Sequence, residues 1–410
     1  MNANLNFLKK KFPLIVRTLG MLIRLIVIAY EFLFLKKIIE INLLGKHEII
    51  NIDQYQNIFC GYYDVSPFKP DNSDFILLHA TNMSANKVPD TNHKVDLLLY
   101  QISKKNFRLI DRTSTWNWQQ GTRLQWLDKN KIIYNVLVNG QVKCKIIDIK
   151  NNKEEILPIP LSIAKTSVEI ISIDYPALTK GSEYGYYGID VFKDDSFIQM
   201  YNLNNRKKEN LFNWKELDYL AYPNANKKHI NHILFSNNKD RIVFIYRYWI
   251  EKIRYDSLIE YNFKTKSFNV IIKNQVVSHY CWIDNDTLFA WIVINNTPGY
   301  YIINVSNNDI SLSLELADGH PSSIGNNKFI TDRYIGKKFG PVIIQAEILD
   351  IVKKEKYPLI KLSHPLLLNQ KHRCDMHISV SDDKKKFQLD ARFVKNRRSV
   401  IIADMKNFID

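Results

Sequence analysis

From residue 50 onward, the apolar and polar positions of this chain repeat one pattern. A short apolar strand leads into a polar turn rich in Asp, Asn and Lys, and a second apolar strand follows. The copies are SPFKPDNSDFILLHA at 66–80, LQWLDKNKIIYNV at 124–136 and a degenerate VEIISIDYPALTKGSEYGYYGI at 168–189. They continue with ILFSNNKDRIVFIY at 233–246, YCWIDNDTLFAWI at 280–292, PSSIGNNKFITDR at 321–333 and ISVSDDKKKFQLDAR at 378–392. Asp and Asn tolerate tight-turn geometry, and β-branched and aromatic flanks favour pleated strands. Alternation of period two recurs in RSVIIADM at 398–405. Copies of this WD-like repeat, spaced at roughly forty to sixty residues, predict an all-β fold, a seven-bladed β-propeller over 50–410. No long amphipathic helix of the kind a parallel α/β fold needs is predicted after residue 50. Ring closure is expected to pair a strand near 50–60 with the last strand near 398–405.

Residues 1–45 read differently. The stretch FLKKKFPLIVRTLGMLIRLIVIAYEFLFLKKII at 7–39 is the most apolar of the chain, and Arg17, Arg24 and Glu31 recur along it as a thin polar stripe. Three charges argue against a simple transmembrane span, and no small-x-small cleavage site follows. With Lys9–Lys11 and Lys36–Lys37 at its ends, the segment reads as an amphipathic helix on an anionic membrane surface. The alternatives are a helix docked on the domain or a partner, and a spanning anchor.

Composition narrows the partners. Lys and Arg outnumber Asp and Glu by 57 to 42, a net charge of +15, which favours an anionic partner. Zinc-finger spacings, ribonucleoprotein-type aromatic motifs and long basic runs are all missing, so no nucleic acid is expected. Acidic glycan and anionic lipid remain. Cys60, Cys144, Cys281 and Cys374 have no paired spacing, which suits a reducing compartment. The expected location is cytoplasmic, peripheral on the inner face of the membrane.

Chemistry enters through a register. Phe235, Trp282, Ser323 and Val380 each end the first apolar pair of a repeat, and His232, His279, His320 and His377 each stand three residues before them. The same offset in the first two repeats gives Asp64 and Arg123. The first strand of a propeller blade lines the channel, so these side chains are expected to face one rim. Grouped imidazoles with carboxylates nearby suit a divalent transition metal. Asp318 and Asp375, in the D-x-H pairs with His320 and His377, are candidate carboxylates, and Arg373 lies on the same loop. The plainer reading is a hydrogen-bond network that ties blades together. The segment Trp116–Trp126, with Trp118 and Gln120, suits sugar stacking and hydrogen bonding, or else core packing. Gly61-Tyr-Tyr-Asp64 and Glu183–Tyr187 are similar cases, groove or filler.

The motifs NHILFS, SHYCW, DGHPS and RCDMHISVSDD resemble the blade motifs of bacterial propellers related to oligogalacturonate lyase, and of propellers found beside polysaccharide-biosynthesis genes. The resemblance runs over about 55–405 and is strongest after residue 228. It implies a seven-bladed propeller that cleaves short uronic-acid chains by β-elimination. That family uses a histidine base and a manganese-type ion held by histidines and a glutamine. Carried over, it implies His232 as the base, His279 as a metal ligand, and His320 or His377 for the remaining ligands. No counterpart of the ligand glutamine stands beside them. The chemistry is coherent, because abstracting the proton next to a uronate carboxylate builds negative charge that a cation or arginine stabilises. Arg123, Arg247 and Arg373 are candidates for that contact, against an ordinary salt-bridge role. Two expectations result. One is a lyase acting on an acidic oligo- or polysaccharide with a divalent metal, manganese first. The other is a non-catalytic glycan-binding or scaffold propeller that works with polysaccharide-assembly proteins at the membrane.

Overall fold

The computed structural model describes residues 39–41, 46–164, 168–189, 198–220, 227–335, 342–364, 373–393 and 397–405, with Ile26 and Ala225 as isolated positions. Most of the N-terminal segment read as a helix lies outside the described residues. Its end does not: Ile39–Ile41 is a strand that pairs with Ile360–Leu362, so the helical reading stops short of residue 39. No described helix is long and apolar enough to cross a membrane.

The described strands are antiparallel and fall into six hydrogen-bonded sheets. The first is built on Asn57–Phe59, Asn72–Thr81, Val95–Gln101 and Asn106–Thr113. The second runs from Gln125–Trp126 to Lys153–Leu157, and the third from Ile163–Ala164 to Lys207–Phe212. The fourth has seven strands because Ser267–Trp282 serves two ladders. Its first half pairs with Ile253–Asn262 and its second half with Thr287–Ile294. The fifth contains Ser322–Gly325 through Glu355–His364, with Ile39–Ile41 added at its edge. The sixth holds Ser379–Val380, Lys386–Phe393, Arg397–Asp404 and, from the other end of the chain, His47–Ile50.

A sheet of this size cannot bury both faces alone, so each stacks on the next. The apolar clusters record that order. Phe59, Leu97, Tyr134 and Ile147 join the first sheet to the second, and Ile133, Cys144, Ile170 and Tyr201 the second to the third. A large cluster carries the third into the fourth, Phe289 and Phe329 continue into the fifth, and Ile344, Leu362, Leu389 and Ile401 into the sixth. Ile50, Ile58, Leu98, Val400 and Ile402 then close the sixth onto the first. The series is cyclic, which is the architecture of a propeller.

Six repeats of the sequence pattern form the hairpins expected of them; the third does not. After Glu169–Ser172 the chain enters a short helix, Tyr175–Gly181, with Asp174 accepting from the Ala177 N–H at its start. The partner strand is Ile198–Asn202 instead. The helix buries Tyr175 and Leu178, and the aromatic run after it forms no strand: Tyr184 and Tyr186 are buried, with the Tyr184 ring 5.4 Å from that of Tyr62. Closure uses His47–Ile50 against Val400–Ala403, while Asn57–Phe59 opens the first sheet.

Candidate functional site: a histidine cluster at one mouth of the ring

Backbone irregularity aims the histidines inward. The ladder shifts register between Asn231 and Leu234, around His232, and between Val277 and Tyr280, around His279. Such bulges redirect a side chain at the cost of local pairing. His232 and His377 also take positive φ, 60° and 43°. At His320 the adjacent glycine is decisive. A Cβ on Gly319 would lie 1.5 Å from the Asp332 carbonyl oxygen, so only glycine lets this loop reach Asp332.

The four imidazoles from the blade register meet. Ring centroids lie 6.0 Å apart for His232 and His279, 4.0 Å for His279 and His320, and 4.5 Å for His320 and His377. The Tyr62 ring sits among all four, 4.8 Å from His377 and 6.5 Å from His279. His320, Asp375 and His377 offer three ligand atoms within 4.8 Å of one another. The Nε2 atoms of His320 and His377 are buried and have no hydrogen-bond partner. Buried nitrogens in that condition are costly unless something binds them, and two imidazoles with a carboxylate fit a divalent transition metal.

Carboxylates behind the rings fix their tautomers. His320 donates from Nδ1 to Asp332 Oδ1 at 2.7 Å, and its own backbone N–H donates to the same oxygen at 2.9 Å. Asp332 Oδ2 accepts from the N–H groups of Met376 and His377. One buried carboxylate therefore ties together the loops that carry the cluster. His279 donates from Nδ1 to Asp318 at 2.9 Å, with the Ser278 hydroxyl on the other oxygen of Asp318 at 2.6 Å. Oriented this way, each ring keeps an Nε2 lone pair for a metal or a proton.

Charge is finely balanced. Burial would push His320 down, but Asp332, its hydrogen bond and the nearby Asp375 and Asp318 together raise it above the ordinary histidine value. Burial, then the neighbouring His320, lowers His279 and His377. Asp375 is buried, yet Arg373 and the two imidazoles hold it far below the usual carboxylate range.

In front of the cluster lies a cavity of about 260 Å³. His279, His320, Asp318 and Asp375 line it, together with Arg247, Arg254, Arg333 and Arg373. The arginines are held by carboxylates: Arg247 and Arg254 share Asp256, Arg333 pairs with Glu347, and Arg373 bridges Asp375 and Glu183. Tyr334 donates to Asp375.

Several sequence expectations fall elsewhere. Arg123 and Asp64 form a buried two-bond pair at 2.9 and 3.0 Å, and the Arg123 Nε donates to Ser162 O. Neither lines the cavity in front of the histidines. Trp118 is 1% exposed, with its indole N–H on Lys87 O and the Arg398 guanidinium 4.3 Å from its ring. No face is left for a sugar. Gln120 is also buried, its backbone N–H capped by Asn117 in a tight loop. His232 reaches the cluster, but its Nε2 is hydrogen-bonded to the Tyr63 hydroxyl at 2.8 Å and its Nδ1 to Tyr62 at 3.4 Å. His232 does not line the cavity, whereas His279, its Nδ1 held by Asp318, does.

Sequence reasoning passed over Asp332, Arg254 and Arg333. The signal at Asp332 was an acidic residue directly after the apolar start of the strand KFITDRYI, closing its buried run Phe329–Asp332. Tyr62 and Tyr63, read from the sequence as groove or filler, pack their rings against the histidines.

No family model matches the chain, and no curated protein matches it by sequence. Solved structures do match in shape. An oligogalacturonate lyase in complex with manganese superposes with a TM-score of 0.63 at 10% identity, covering 90% of this chain and 96% of that one. An oligogalacturonate lyase from Vibrio parahaemolyticus gives 0.58 at 12% identity, covering 90% and 98%. In fold, the chain is a β-propeller similar to these two structures. A puromycin hydrolase variant complexed with PGG matches at 0.53 and 9% identity over 86% of this chain and 52% of that one, so the fold also appears beside other chemistry.

Proposed function

We propose that the chain is a seven-bladed propeller acting on an acidic, uronic-acid-containing saccharide by metal-assisted β-elimination. The seven-stranded sheet counts as two blades joined through Ser267–Trp282. The observation that carries the reading is the pair of buried Nε2 atoms of His320 and His377 without a hydrogen bond, beside Asp375, where His320 and Asp375 line an arginine-rich cavity. These residues would hold a divalent cation, manganese first, which when bound stabilises negative charge on a substrate carboxylate. Arg247 and Arg254 share one carboxylate, so together they keep a surplus positive charge for a second anionic group. His279, oriented by Asp318, takes the proton next to the carboxylate, a role that its lowered pKa suits. The free state of all four cysteines supports a reducing compartment. We assign the membrane-surface contact to 7–39.

Elemental analysis of purified protein, beside His320→Ala with His377→Ala, tests the centre. About one transition metal per chain, lost in the variant, and ultraviolet-absorbing unsaturated products from uronic-acid oligosaccharides are expected. Saccharide binding without product would favour the non-catalytic glycan-binding propeller. Failure to take up Mn, Ni or Zn would overturn the metal-assisted reading.

A further inference from the structure

A second cavity, of about 430 Å³, opens at the other mouth of the ring. Its lining comes largely from the ends of the inner strands and the turns that follow them, whereas each histidine stands earlier along the same segments, and the two cavities share no lining residue. Tyr63 separates them: it lines the second cavity while its hydroxyl binds His232.

Two turns at this mouth are built alike. In Ser236–Arg241 and Ser381–Lys386 the serine N–H donates to the last carbonyl, at 3.1 and 2.9 Å, and the fourth-residue N–H returns to the serine carbonyl at 2.9 Å in both. That fourth residue is Lys239 in one and Lys384 in the other, each in the left-handed region at φ 60° and 56°. Asn or Gly fits such a position more readily than lysine, yet lysine stands at both, and both line the cavity. Lys384 donates to the Ser323 carbonyl at 3.0 Å, Asp382 lies within the field of both lysines, and Asp64, the acidic residue of the lining, is paired with Arg123, so the lining sets two lysines against no acidic residue other than that paired one. Two further donors are buried there without partners: the indole N–H of Trp282, a residue 8% exposed, and the Ser66 hydroxyl. Phe235, Tyr280 and Trp282 add an apolar wall.

We propose that this mouth is a second binding site, for a small organic anion: a carboxylate or phosphate carried on a body of sugar size. The lysines attract the charge, the orphaned indole and hydroxyl donors hydrogen-bond to it, and the aromatic wall takes the apolar face of the body. The site stands independently of the histidine cluster.

Galacturonate, glucose 6-phosphate and neutral glucose serve as probes, followed by titration calorimetry and tryptophan fluorescence on the full chain. Saturable binding of at least one anion is expected, about tenfold tighter than the neutral sugar, and which anion binds distinguishes carboxylate from phosphate. Lys239→Asn with Lys384→Asn, which keeps the turn geometry, should weaken binding about tenfold or more, and the two Lys→Arg changes should retain it. Trp282→Phe should abolish the fluorescence response. Binding should survive in the His320→Ala, His377→Ala variant. Undiminished binding in the Lys→Asn variant, loss in the histidine variant, or equal affinity for glucose would each overturn the proposal, as would no saturable binding at all. Should the double Lys→Asn chain not fold, Lys384→Asn alone carries the same comparison.

Discussion

His320 is hydrogen-bonded to a carboxylate through one nitrogen and makes no hydrogen bond through the other. That division makes Asp332 a positioning residue: it fixes the tautomer and also accepts from the backbone of Met376 and His377. Asp332→Asn is expected to lower metal affinity by about tenfold to a hundredfold, measured by chelator competition, with the His320→Asn variant lower still. Gly121 is the residue-scale counterpart in the Trp116–Trp126 loop. It stands at φ 58°, and a Cβ there would meet the His79 ring at 2.3 Å. His79 is itself locked between Cys60 O and Thr122, and burial pushes its pKa down to about 4. Gly121→Ala should therefore destabilise the fold by about 2–4 kcal/mol, combining left-handed strain with overpacking. Chemical denaturation measures it, and a loss below about 0.5 kcal/mol would show that the ring of His79 can move aside.

Elements matter most where the ring closes. His47–Ile50 is a short strand from the start of the propeller, paired with the last strand, and its alternation is strict at the end: Ile49 is 36% exposed and Ile50 is 0%. Ile50→Asp buries an unpaired charge between the sixth and first sheets and is expected to cost at least about 3 kcal/mol. Ile49→Asp on the same strand should stay within about 1 kcal/mol. Similar losses for both, in urea melts, would mean that closure depends on the whole strand rather than its buried face. The same seam contains Asp390, which accepts from the N–H groups of Cys60 and Gly61 at 2.7 and 3.3 Å. Burial outweighs those bonds and pushes Asp390 up to about 7. A carboxyl with a raised folded pKa binds its proton more tightly folded than unfolded. Its contribution is thus fully present below the ordinary Asp range and lost as pH rises through about 7. Asp390→Asn should gain stability relative to the wild type between pH 5 and pH 8, and a pH-independent difference between the two would contradict this.

At the scale of the molecule, stacking order explains both the fold and the position of the site. Each apolar cluster belongs to two neighbouring sheets and the last returns to the first, so the inner strands must face a common axis. Residues distant in sequence then meet: Tyr62 contacts histidines that lie 170 or more positions away. The two mouths differ in chemistry. One gathers imidazoles, carboxylates and carboxylate-bound arginines; the other gathers lysines and hydroxyls on an aromatic wall. The net charge of +15 seen in the sequence is compatible with anionic ligands at either end.

The turn chemistry and strand alternation by themselves determined the all-β repeat, six of its hairpins, the closing strand to within a few residues, and the inward register of His232, His279, His320 and His377. These are local properties: a period of two and a tight polar turn are written in neighbouring residues. Tertiary structure alone decided what those inward residues touch. Arg123 carries the same offset as the histidines but finds Asp64 and is neutralised, His232 finds two tyrosines, and Trp118 finds the seam between sheets. His320 and His377 are left with open nitrogens because Asp332, some twelve residues from one and forty-five from the other, orders both loops without filling the space between them. Partner choice in a ring depends on which sheets become neighbours and on the bulges that turn a side chain, and neither is encoded in the spacing of a single repeat.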